Sequence, residues 1–107
     1  MKIKIYKQTL NEQHVLYVNT DKRNYVLADK KETNYKADSF IFEVFDIIHD
    51  WPTSLENEKI LDGLHYKIVI KQNNEEKTYI YKNKYPEDIY RLEMLITAVL
   101  EEVRNVE

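Results

Sequence analysis

The chain has 107 residues, is 43% hydrophobic and 33% charged, and carries a formal net charge of −3. These are the proportions of a folded domain with a well-solvated exterior rather than of a disordered acidic or basic tail. The absence of cysteine excludes a disulfide scaffold and a thiolate metal site. No apolar run approaches the roughly 18 residues of a membrane span, and the length suits a single domain over residues 1–107.

Ile3 and Ile5 alternate with Lys2, Lys4 and Lys7, the period of two that marks a first strand over residues 3–9. Asn11, Glu12 and Gln13 make a turn, and strands are predicted over 14–19 and 24–29. The connection Thr20 to Arg23 is short enough for a hairpin but lacks an Asn-Gly or Asp-Gly signature. Lys30 to Ala37 is polar and without period, so it reads as a connecting loop. Asp38 or Ser39 then caps a helix whose inward stripe is Phe40, Ile41, Val44, Phe45 and Ile48. It stops at Trp51, before Pro52.

Asp62-Gly63 reads as a turn, and Gly63 is the one glycine of the sequence. Tyr66, Ile68 and Ile70 alternate with His65, Lys67 and Lys71 as a fourth strand. Asn73, Asn74 and Glu75 form a hairpin tip before a fifth strand over 78–82. On this reading Tyr66, Ile68, Ile70 and Ile80 face the core, while Tyr79 and Tyr81 are at least partly exposed. Pro86, Glu87 and Asp88 open a last helix, along which Ile89, Leu92, Ile96, Val99, Val103 and Val106 repeat at three-four spacing. The order β-β-β-α-β-β-α predicts an α+β fold, an antiparallel sheet of about five strands with two helices packed on one face. The last helix could alternatively serve as a homodimer seam, so the expected state is monomer or homodimer.

A single glycine cannot build a phosphate-cradling loop. His14, His49 and His65 lie in no metal-ligand spacing. Only His49 has acidic company on its own helix: Asp46, Asp50 and, a further turn back, Glu43 could support a divalent cation or general acid/base chemistry. A solvated acidic face explains the same residues without a cofactor. Ser39 and Ser54, the two serines, sit where caps and turns want them. No catalytic, metal or cofactor residue is therefore assigned, and the chain reads as a protein that is not an enzyme.

Lys22, Arg23, Lys30, Lys31 and Lys36 interleave with Tyr25 and Tyr35, a pattern able to neutralise phosphates and stack bases. The basic segment 22–36 thus offers a regulatory nucleic-acid-binding alternative, against which stand the net negative charge and the scarcity of arginine. Charge is uneven along the chain: residues 1–37 sum to +4 and residues 38–107 to −7. From Asp38 to Trp51 every charged side chain is acidic, and helices packed side by side would form an acidic plate suited to a basic partner surface. The nine tyrosines exceed what one small core easily satisfies, and tyrosine supplies rigid contact area at interfaces.

The stretch from Trp51 through Leu61-Asp62-Gly63 and the hairpin to Asn83-Lys84-Tyr85-Pro86, residues 51–90, resembles a pattern found in small bacterial domains of unknown function. The resemblance implies strands leading into a helix and no known chemistry. The leading expectation is a non-catalytic protein–protein interaction module, its contacts drawn from Glu43, Asp46, Asp50, Tyr79 and Tyr81. Small, acidic, cysteine-free chains rich in Lys, Ile, Asn and Tyr are common among phage or mobile-element inhibitors and immunity proteins. Met1 to Leu10 lacks the apolar stretch of a secretory signal, so a cytoplasmic setting without membrane partner is expected.

Overall fold

The computed structural model describes residues 1–59 and 63–104. Its elements in chain order are β1 (Lys2–Gln8), β2 (Gln13–Asn19), β3 (Tyr25–Ala28), β4 (Lys31–Lys36), α1 (Ala37–Ile48), β5 (Ser54–Glu56), β6 (His65–Gln72), β7 (Glu75–Lys82) and α2 (Tyr90–Glu101). The α+β class is as read from the sequence, but the sheet has seven strands, in the order β4-β3-β2-β1-β6-β7-β5. Every pairing is antiparallel except β5 with β7, which is parallel.

The Lys/Ile alternation of β1 places this strand at the centre. Ile3 lies between Val18 of β2 and Ile70 of β6, and Ile5 between Leu16 and Ile68. These side chains, with Val26 and Ala28, form the floor on which both helices rest. From α1 come Ala37, Phe40, Val44, Ile47 and Ile48; from α2 come Leu92, Leu95, Ile96 and Val99. Trp51 closes one side, its ring edge-on to Tyr81 at 5.5 Å and its indole N–H donated to the Asp88 carboxylate at 2.8 Å.

Two departures arise at turns. Residues 30–37, expected to be a loop, contain β4, because Asp29 and Lys30 both take positive φ (50° and 67°) and close a two-residue hairpin. Thr33 of β4 is buried and satisfies its hydroxyl on the Val26 carbonyl at 2.6 Å. At the second hairpin, Asn73 and Asn74 (φ 51° and 67°) form the whole turn, and Glu75 already pairs with Gln72. A two-residue tip instead of three shifts register by one, and a one-residue shift reverses every side chain of the strand. Tyr81 therefore stands opposite Tyr66 and Tyr79 opposite Ile68 on the helix-covered face, while Ile80 is turned to the other side.

The remaining differences lie at helix ends. α1 starts directly from β4, with Lys36 at the cap and no side-chain cap bond, so neither Asp38 nor Ser39 caps it. α2 is shorter than its apolar period suggests. Pro86 opens hydrogen-bonded turns over 87–89 rather than helix, and Val103 leaves the helix to bridge Thr33 on β4. Val106, and Asp62 of the anticipated turn, lie outside the described residues. No helix among the described residues is long and apolar enough to cross a membrane.

Candidate functional site

The residues expected to make partner contacts separate in the fold. Tyr79 and Tyr81 are 6% and 0% exposed, which corrects the expectation that they face solvent; the hairpin register buries them beneath the helices. Burial raises the Tyr81 phenol well above its ordinary value, with the neighbouring Tyr79 adding to the effect, and its hydroxyl is donated to the Pro52 carbonyl at 2.6 Å. Neither ring is available to a partner.

Glu43, Asp46 and Asp50 lie on α1 or just beyond its end. Asp46 accepts a bond from the Arg91 guanidinium of α2 at 2.6 Å, which raises the Arg91 pKa and joins the outer surfaces of the two helices. His49 turns its Nδ1 to the backbone carbonyl of Asp46 at 2.8 Å, with the Asp50 carboxylate farther off at 4.0 Å, and its side chain is exposed. Among the described residues no three His, Asp or Glu side chains converge as metal ligands.

Between these carboxylates stand two rings that sequence periodicity did not assign to the surface. Phe42 is 70% exposed and Phe45 39%. The buried side of α1 is centred on Ala37, Phe40, Val44, Ile47 and Ile48, which turns Phe45 out of the expected inward stripe. Asp38, Phe42, Phe45 and His49 follow one another at spacings of four, three and four, so they line one outward ridge. With Ile41 and Asp46 they border a shallow, open groove. On α2, Tyr90 and Met94 are also exposed, one turn apart.

The opposite surface of the molecule is the face of the sheet that no helix covers. Lys2, Lys4 and Tyr6 of β1 project there, beside Tyr17 of β2 and Lys67, Val69 and Lys71 of β6. The Lys4 ammonium lies 5.2 Å from the centre of the Tyr17 ring, and that of Lys67 lies 5.7 Å from Tyr6. These side chains line a groove of about 290 Å³, at whose end Glu76 approaches Lys71 at 3.7 Å. The segment 22–36 is organised differently. Arg23 pairs with Glu32 at 3.5 Å, Arg104 covers the Tyr25 ring, and Tyr35 turns edge-on to Phe40 on the helix side. Arg23 and Tyr25 line one groove with Glu32 and Arg104, and Lys36 stands opposite Tyr25, while Tyr35 is turned away to the helix side.

No family model, curated protein or solved structure matches the chain.

Proposed function

We propose that this chain is a non-catalytic protein-binding module, of the inhibitor or immunity kind, that grips its partner with the outer face of α1. Phe42 is the observation that carries the reading. Burying a phenylalanine is worth about 1.5–3 kcal/mol relative to leaving it in water, and a ring 70% exposed in the middle of a regular helix leaves most of that gain for association. Phe45 and Ile41 extend the anchor, and Asp38, Glu43, Asp46 and Asp50 supply carboxylates around it. α1 contains no basic side chain. An aromatic anchor within a carboxylate rim suits a partner that offers an apolar pocket edged by lysine or arginine, with the rim governing encounter and the rings governing residence time.

The test is affinity capture from host lysate with nuclease present, comparing the native chain with Phe42→Ser and with Asp46→Asn plus Asp50→Asn. The expected result is one stoichiometric protein that Phe42→Ser loses. The double neutralisation should weaken its capture at low salt more than at high salt. A partner retained equally by Phe42→Ser would overturn the assignment of this face.

A further inference from the structure

We infer that the uncovered face of the sheet is a binding surface for single-stranded nucleic acid, with Lys2, Lys4, Lys67 and Lys71 on the phosphates and Tyr6 and Tyr17 under the bases. Net charge argues against such a ligand only while charge is averaged over the chain. In the fold, the acids of residues 38–50 lie on the helical layer, while four lysines gather on two paired central strands; among the described residues Glu76 is the one acid lining their groove, and Asp21, Glu75 and Asp29 line the grooves beside it.

Three features select the ligand. Lys2 and Lys4 are alternate residues of one strand and stand about 7 Å apart, a spacing comparable to that of successive phosphates in an extended strand, and Lys71 is directly opposite Lys2. Among the described residues the groove is lined by lysine and no arginine; lysine is depleted and arginine enriched where proteins meet proteins, whereas lysine readily neutralises phosphate. Its floor holds two half-buried tyrosine rings on adjacent strands, a platform that accepts any base because every base has a flat face. In the free protein each ring is covered by a lysine ammonium. Such contacts are weak when exposed, so a base can take the ring while the ammonium moves to the adjoining phosphate. A sheet face offers no projecting element to enter a duplex groove, which favours a single strand over a double one.

The experiment is fluorescence anisotropy of the whole chain with a labelled 15-nucleotide oligothymidine, titrated between 50 and 200 mM salt. Four neutralised phosphates on a single strand give a log–log slope of about −2.8, so affinity should fall about 50-fold over that range. Lys4→Glu with Lys67→Glu should weaken binding at least 10-fold at 50 mM salt, whereas Lys84→Glu, at an exposed lysine that does not line this groove, should leave it nearly unchanged. Tyr6→Ala with Tyr17→Ala should weaken it 10-fold or more without altering the salt slope, the mark of lost stacking. Absence of binding at 50 mM salt, or equal effects of the Lys84 and Lys4/Lys67 reversals, would overturn the inference. So would tighter binding of a polyglutamate peptide of equal charge, which would assign the face to an acidic protein instead.

Discussion

Tyr66 and Tyr81 sit opposite one another on β6 and β7, both essentially inaccessible to solvent, yet removing the hydroxyl should act in opposite directions at the two sites. The Tyr81 hydroxyl is donated to the Pro52 carbonyl; Tyr81→Phe leaves that carbonyl without its donor and should cost about 1–2 kcal/mol. The Tyr66 hydroxyl is buried with no hydrogen-bond partner among the described residues. Tyr66→Phe removes a desolvated polar group and should be neutral or stabilising by up to about 1 kcal/mol. With a urea m-value of about 1.2 kcal/mol/M, near the low end for small domains, Tyr81→Phe lowers the midpoint by about 1 M and Tyr66→Phe leaves it unchanged or raises it. Trp51, the one tryptophan, reports unfolding by fluorescence, and far-UV circular dichroism provides a second probe, because the indole touches the Tyr81 ring and its signal changes with that substitution. Equal losses in the two variants would refute the assignment of partnered and unpartnered hydroxyls.

The same burial sets the alkaline limit of the fold. The phenols of Tyr35, Tyr81 and Tyr85 are all raised above the ordinary value of 10.0, chiefly by desolvation. The stability each contributes is fully present below pH 10 and is lost as pH rises towards its native-state value. Urea midpoints should therefore fall above pH 10, and Tyr81→Phe should make that fall shallower by about 1.4 kcal/mol per pH unit. At the β3–β4 turn, Lys30 holds φ 67° without the freedom of glycine, so Lys30→Gly should stabilise by about 1 kcal/mol in thermal or urea unfolding. Lys7 of β1 projects to the helix side and binds Glu93 of α2 at 2.7 Å, while the other Glu93 oxygen is buried without a partner. Lys7→Met alone should cost about 1–2 kcal/mol, and adding Glu93→Leu should recover most of it, as a double-mutant cycle can measure.

Elements whose pattern is local were readable in the residues. β1 and β6 show their alternation, and Leu92, Ile96 and Val99 mark the inward side of α2. What escaped depends on details that side-chain hydropathy does not encode. Asp29-Lys30 closes a tight hairpin without glycine, so β4 looked like a loop. Tyr79 and Tyr81 share one face of their strand and Ile80 the other; giving the core to the isoleucine turned the tyrosines outward, whereas the register places them opposite Ile68 and Tyr66. Val103 continues the helical period but spends its apolar side chain against β4. β5, three residues in a parallel pairing, has no period to detect. Of the candidate surfaces, the acids of α1 were legible because they are consecutive in the chain. Phe45 was not, since it was counted in the inward stripe, and Phe42, which falls outside that stripe, drew no reading as a contact residue. The lysines of the open face were visible strand by strand, but their convergence requires β1 to pair with β6, and no local pattern carries that information.

That central pairing also orders the events of synthesis. β1, β2, β3 and β4 follow one another along the chain and join neighbour to neighbour, so they can assemble as soon as they emerge from the ribosome. The outer edge of β1 must then wait for β6, whose last residue is made about 65 residues after the end of β1, roughly 3–13 s later at 5–20 residues per second. During that interval the nascent sheet presents an open edge, a template for pairing with other chains. Lys2, Lys4 and Lys7 on that edge put positive charge where two such intermediates would meet, and their mutual repulsion protects the half-made sheet until its true neighbour arrives.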